Sequence, residues 1–271
     1  MKHLDIHNPF SAPVFHEEIV DSTMNYSRSL FLRGENHGTI IAADFQKEGR
    51  GRVKERLWEA EKGKSLMFTI MLHYPCMADI PAALTLRTGL AVALAIEDFM
   101  PPLSGRVMLK WPNDVLVAPV NDSQKSGISA KKLSGILAEA ENRVVYIGIG
   151  VNVLQKEFSA CLRNKATSIA AEAEREIQSG ERFLLLEKIL LYLHKEIEEA
   201  DGRDTRWRQK ISEKLYKKGL TVSLTQGVAG AEKTVTGTLY GIGSGGELLI
   251  IPKGETKEIP FVSGELTGIY R

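Results

Sequence analysis

Lys110-Trp111-Pro112-Asn113-Asp114, with Lys131-Lys132-Leu133-Ser134-Gly135-Ile136-Leu137 close behind, brings an ammonium, an indole, an amide and a carboxylate into one short run backed by a second basic pair and a glycine. Pro112 restricts Trp111 to extended backbone, so the side chains of Lys110 and Asn113 are held in fixed directions. A rigid polar cluster between apolar stretches is the way a site for a small anionic ligand is built. The surrounding runs, 107–109, 115–117, 133–139 and 144–153, are short and joined by turn residues, as in an antiparallel meander. One link, 118–130, is long and rich in Asn, Asp, Ser and Gly, and is expected to be a mobile surface loop.

The last of these strands is the most specific. Alternation puts Val145, Ile147, Ile149, Val151 and Val153 on one β-branched face and Gly148, Gly150 and Asn152 on the other. Two positions without side chains followed by an amide make either a flat floor for a planar ring or a seat for a packed helix.

Upstream, Asp21-Ser22-Thr23 caps an expected helix over 24–33. A strand over 40–46 ends at Gln46, and another covers 65–72. Asp79 and Pro81 open a long helix that Pro101-Pro102 stops near Phe99. Helices dominate 167–217, where Trp207, Ile211 and Leu215 form one apolar stripe. Beyond residue 218 the chain turns to short β pieces at 220–224, 235–240, 247–251 and 258–262, the texture of a small barrel. The expected division is 1–218 and 219–271.

With 271 residues and a net charge of +1, no global field points to nucleic acid or membrane, so any anion site is local. Cys76 and Cys161 have no metal-ligand spacing and fit a reducing compartment. The start lacks an apolar signal region, and the apolar stretch 183–193 is broken by Glu187 and Lys188, so the expected location is the cytoplasm. The six histidines show no pairing, and there is no nucleophile elbow or Walker-type loop.

Gly49-Arg50-Gly51-Arg52 continues through Lys54 and Arg56, a flexible backbone carrying up to four cations. It reads as a phosphate or carboxylate site, a solvated basic turn, or an RNA-binding patch. Ser22-Thr23 read alone is a helix cap, Lys131-Lys132 a wet strand end, and Glu139 and Glu141 are solvated.

Taken in order, Asp21-Ser22-Thr23, the 46–52 segment Gln-Lys-Glu-Gly-Arg-Gly-Arg, Trp58, the 110–114 run, Lys132 to Leu137, Gly148 to Asn152 and the C-terminal Ser263-Gly264-Glu265 resemble a biotin–protein ligase, over most of the chain from about Glu17. The resemblance implies an α+β fold of the class II synthetase/biotin ligase kind, a mixed, mostly antiparallel sheet backed by helices with a small C-terminal SH3-like barrel. It implies activation of biotin by ATP to biotinyl-5′-adenylate, then transfer to a lysine of a biotin carboxyl carrier domain. Ser22, Thr23 and Gln46 then bind the ureido end of biotin, and Gly49, Gly51, Gly135, Gly148 and Gly150 shape its pocket. Arg50, Arg52 and Lys132 face carboxylate and phosphate. Lys110 and Asn113 serve the nucleotide, Trp58 and Asn152 sit near adenine, and Asp114 partners Mg²⁺; the catalytic set is Lys132, Arg50 and Lys110. Met24 stands where many relatives carry a polar residue, and 53–57 departs from the commoner loop. Only about twenty residues precede Asp21, so no winged helix and no sequence-specific DNA binding are expected; the chain is expected to be a monomer or homodimer. Lipoate or octanoate ligases share this kind of sheet and are the enzyme alternative; a glycine-arginine nucleic-acid binder is the other.

Overall fold

The computed structural model of the chain describes residues 1–52, 58–120, 129–173, 175–198, 206–227 and 231–267. Eight strands form the first sheet: β1 (Lys2–His3), β2 (Val14–Val20), β3 (Ile40–Gln46), β4 (Ser65–His73), β5 (Val107–Lys110), β6 (Asp114–Val117), β7 (Lys131–Glu141) and β8 (Val144–Asn152). Their spatial order is β1-β2-β3-β4-β8-β7-β6-β5, and every neighbouring pair is antiparallel except β2 and β3. A parallel pair needs a crossover, and α1 (Thr23–Leu32) supplies it. The mixed, mostly antiparallel sheet expected from the sequence is present. Most of the long link, 121–128, and the loop segment 53–57 that carries Lys54 and Arg56 lie outside the described residues.

The two faces of the sheet are covered unequally. Val145, Ile147, Ile149 and Val151 of β8 join Leu66, Phe68 and Ile70 of β4 in the large core, under α2 (Leu84–Phe99), α4 (Glu181–Ile197) and α5 (Arg206–Lys214); the short α3 (Ile169–Glu172) leads into this layer. The other face carries α1, whose Met24 and Leu30 pack on Ile41, Met71 and Tyr146, and leaves the rest of that face free for a cavity.

α2 is apolar all round because it is wrapped all round. Leu86, Leu90, Val92, Ala93 and Ile96 are buried, and Gly89 lets the helix approach Leu109 of β5. Among the described residues, Met77–Phe99, with a mean hydropathy of 1.4, is the stretch long and apolar enough to cross a membrane, not the 183–193 run. Its apolar residues are spent on the core. The helix starts at Leu84, after a separate turn at Met77–Asp79. It ends at Phe99, where the two prolines follow.

The second sheet holds β9 (Thr221–Gln226), β10 (Lys233–Ile242), β11 (Leu248–Pro252), β12 (Ile259–Phe261) and β13 (Glu265–Thr267), in the order β12-β11-β10-β9-β13, antiparallel throughout. Its interior, Val222, Leu224, Leu239, Leu248, Ile250 and Leu266, is continuous with the main core. Tyr216 N donates to the Leu109 carbonyl at 2.8 Å and Trp111 Nε1 to that of Gly246 at 3.0 Å, tying the junction to the turn that follows β5.

The stripe of Trp207, Ile211 and Leu215 is buried as the sequence implies. Ile211→Ala, at a position with no solvent exposure, is expected to cost about 2–5 kcal/mol through lost transfer energy and the void it leaves. Urea denaturation reads this directly; an unchanged midpoint would place the stripe outside the cooperative core.

Candidate functional site

One row of register partners crosses the sheet. Lys110 lies opposite Asp114, Asp114 opposite Gly135, Gly135 opposite Gly150, and Gly150 opposite Met67. Partners in a row point to the same face, so a cation, an anion and two bare positions are laid side by side across β5, β6, β7 and β8. Two residues along β8, about 6–7 Å away, Gly148 lies between Thr69 and Leu137.

Lys132 joins this face through a β-bulge. Val115 pairs with Ser134 and Leu116 with Lys132, leaving Leu133 as the extra residue. The extra residue resets the alternation: Leu133 and Ile136 face the core, and Lys132 turns to the side of Gly135. Its Nζ is 2.6 Å from Asp114 Oδ1, while Nζ of the buried Lys110 is 3.8 Å from Oδ2. One carboxylate thus sits between two ammonium groups.

Over these rows lies a cavity of about 430 Å³. Its uncharged end is formed by Ser22, Thr23, Gln46 and Thr69, its charged end by Lys110, Asn113, Asp114 and Lys132, with Arg50, Gly51, Arg52 and Trp58 from the glycine loop and Gly264 and Glu265 from the second sheet. Ser22 occupies the cap position of α1 without a side-chain capping bond. Thr23 turns its hydroxyl inward instead: it accepts from Thr69 Oγ1 at 2.9 Å and donates to Gln46 Oε1 at 3.0 Å, and Thr23 N donates to the same oxygen at 2.8 Å. Among the described residues Gln46 Nε2 has only the thioether of Met67 at 3.5 Å, a weak acceptor that leaves its donors for a ligand.

The glycine pair is occupied by the protein itself. A Cβ on Gly150 would stand 2.7 Å from Trp58 Cζ2, and one on Gly135 3.1 Å from Cζ3, so the indole lies on the floor both glycines make. Trp58 Nε1 is buried without a hydrogen-bond partner among the described residues, and Lys132 Nζ is 5.7 Å from the ring centre. Gly148 meets the Met24 methyl instead, at 3.1 Å, and both residues line the cavity. Gly49 lies beneath the loop, its carbonyl accepting from Trp58 N at 2.9 Å.

Asn152 departs from expectation: it is buried outside the cavity lining, its Nδ2 donating to the Thr167 carbonyl at 3.0 Å, because the 165–168 segment closes over that end of β8. Asn113 lines the cavity, but its Nδ2 is spent on the Ile136 carbonyl at 2.8 Å, fixing the β5–β6 turn to β7. The Trp111–Pro112 peptide in that turn is cis.

Glu139, read from sequence as solvated, is paired with Arg28 and with Arg50. Burial alone raises its carboxyl pKa, but the Arg28 hydrogen bond and the two guanidinium charges outweigh this and lower it overall. Arg52 donates to the Gly264 carbonyl at 3.1 Å. Thr69 in the cavity wall and Glu139 beside Arg50 are positions the sequence reading gave no role; a lone threonine in an apolar strand was the signal for the first.

Asp114, the residue assigned to Mg²⁺ through the resemblance, is one carboxylate lying between two lysines. Among the described residues no group of three or more His, Cys, Asp or Glu is placed to hold a metal ion by protein donors alone, and a nucleotide-bound magnesium takes one or two carboxylates together with the phosphates. The position of Asp114 suits the aiming of Lys110 and Lys132.

The sequence profile of the biotin/lipoate A/B protein ligase family matches residues 17–153. The bifunctional ligase/repressor BirA of Bacillus subtilis (strain 168) is 32% identical over 190 residues, 67% of this chain and 53% of that protein. The biotin–[acetyl-CoA-carboxylase] ligase of Mycobacterium tuberculosis is 34% identical over 146 residues, 51% of this chain and 49% of that one. The chain thus spans about half the length of these curated relatives. The solved biotin protein ligase from Aquifex aeolicus in complex with biotin and ATP is similar over 94% of this chain and 97% of its own, at TM-score 0.70 and 30% identity. The ligase from Leishmania major in complex with biotin, at TM-score 0.64 and 22% identity over 93% and 99%, shares the fold.

Gly150→Val is expected to expel the Trp58 indole from its seat, since the new Cβ would stand 2.7 Å from the ring. Valine suits a strand, so the cost should be that of overpacking, about 1–3 kcal/mol. Tryptophan emission should move to the red. Emission identical to the parent protein would mean the indole does not rest there.

Proposed function

The chain belongs to the biotin/lipoate A/B protein ligase family, and on that premise we propose that it activates biotin with ATP and transfers it to a lysine of a biotin carboxyl carrier domain. The observation that carries this reading is the pairing, in one cavity, of an uncharged hydrogen-bonding end at Thr23, Gln46 and Thr69 with a cationic end at Lys110 and Lys132. A ureido ring is neutral and needs donors and acceptors, whereas a carboxylate meeting a triphosphate needs fixed positive charge.

In the first step the biotin carboxylate attacks the α-phosphorus of ATP and pyrophosphate leaves, giving biotinyl-5′-adenylate. Two anions are brought together, so the barrier is largely electrostatic, and cations already in place stabilise the charge that builds up. Lys132 and Arg50 are assigned to the carboxylate and phosphate, Lys110 to the nucleotide, and Asp114 to fixing the lysines. Gln46 and Thr23 are assigned to the ureido group, and Trp58 to the wall between ring and nucleotide. In the second step the neutral amine of a carrier lysine attacks the acyl carbonyl and AMP leaves with the bonding electrons. Neither step needs a covalent enzyme intermediate.

We take residues 1–218 as the catalytic unit and 219–271 as a unit that closes the cavity, a reading supported by Gly264 and Glu265 in its wall. The cytoplasm is the proposed location; the two free cysteines agree with it.

Lys132→Ala should lower biotin-dependent exchange of labelled pyrophosphate into ATP by at least about a hundredfold, the range seen when one preorganised donor is lost, with an unchanged melting temperature. Exchange supported by lipoate or octanoate in place of biotin would move the substrate assignment within the family. Near-normal exchange in the variant would remove Lys132 from the mechanism.

A further inference from the structure

Arg50 sits between Gly49 and Gly51, neither of which offers a side chain to steady it. What holds it is Glu139 on β7, two residues beyond the cavity-lining Leu137 and itself outside the lining. Arg50 Nη2 donates to Oε2 of Glu139 at 3.2 Å and to Oε1 at 3.4 Å. Oε2 also accepts from Nη2 of Arg28 on α1. Arg28 is fixed in turn: its guanidinium lies 4.9 Å from the centre of the Tyr146 ring and its Nε 3.4 Å from Glu141. The carboxylate is therefore anchored from behind by a helix and a strand before it meets the loop.

We propose that Glu139 is the positioning residue for Arg50, holding its guanidinium at the cavity edge in the orientation that receives the carboxylate of the acyl substrate and the phosphate it meets. The inference rests on the reading of the cavity as the site of acyl adenylation.

Two features make this pair a support and not a latch that ligand must break. Arg28 takes a share of the charge of Glu139, so Arg50 is not its sole counter-ion. The bonds to Glu139 run through Nη2 alone, and a guanidinium has five N–H donors in a planar fork, so Nε and Nη1 can bind a second anion with the pair intact. Glu139 would then fix the plane of the fork, on which bidentate recognition depends.

Two measurements test this. In the ligand-free protein, the Nη2–H resonances of Arg50, identified by their loss in Arg50→Lys, should show slower solvent exchange in the parent than in Glu139→Ala. In pyrophosphate exchange, Glu139→Ala and Glu139→Gln should lower kcat/KM for biotin about tenfold, a coupling usual for members of one ion-pair network. In the Arg50→Lys background the same changes should alter kcat/KM less than about twofold. Melting temperatures should match the parent within each background; if Glu139→Ala does not fold, Glu139→Gln carries the test. Equal losses in both backgrounds would mean a general structural role, and tighter biotin binding in Glu139→Ala would mean a latch; either outcome, or an unchanged Arg50 resonance, overturns the proposal. Should the parent protein show no biotin-dependent exchange, the substrate reading fails by itself, while the arginine resonance still decides whether Glu139 holds Arg50.

Discussion

The site depends on the lateral register of β5, β6, β7, β8 and β4. Lys110 and Asp114 flank one tight turn, Gly135 and Gly150 lie farther along the chain, and the four meet because they are consecutive partners in one row. A slip of one residue in any strand would turn its contribution to the core face. That slip is opposed by the other side of the same strands, where Leu109, Val115, Ile136, Ile149 and Val151 are buried under α2 and α4. The hydrophobic face thus stabilises the fold and fixes the polar face at once. The bulge at Leu133 works the same way, keeping the apolar residues of β7 inward while turning Lys132 outward.

Charge is organised around that row. Lys110 and Asp114 are both shielded from solvent, and taking charges out of water is costly unless they are paired. Asp114 meets this need for two lysines together, and the trio keeps one net positive charge facing the cavity. Arg50 and Arg52 come from the loop, and each is held by a partner elsewhere in the fold, Glu139 of β7 and the Gly264 carbonyl. The cations are therefore set in place before a ligand arrives, which is the condition under which electrostatic stabilisation costs no rearrangement.

Trp58 adds a steric element. Gly150, which with Gly148 looked from sequence like a bare floor, seats the indole together with Gly135, so this part of the cavity wall belongs to the glycine loop and not to the sheet. The loop's arrangement and the cavity's shape are then one property, since Trp58 N closes the base of the loop on Gly49 while its ring covers Gly135 and Gly150.

Much of the fold was legible in the sequence because its signals are local. Alternation in 145–153 marked a strand with two unlike faces, Pro101-Pro102 marked the end of α2, and the glycine-punctuated C-terminal fifty residues marked a second β unit. The gathering of Ser22, Thr23, Gln46, Arg50, Lys110 and Lys132 into one cavity was foreseen only through the resemblance, since no spacing rule links residues so far apart. Other features had no local signal. Glu139 looked solvated because its partners, Arg28 and Arg50, lie about ninety to a hundred and ten positions away, and Asn152 looked like part of the floor until the 165–168 segment was seen to bond it. Side-chain alternation follows from backbone geometry and can be read along the chain; the partner of a charge or an amide is set by which strands lie side by side, and that is decided only when the whole core is packed.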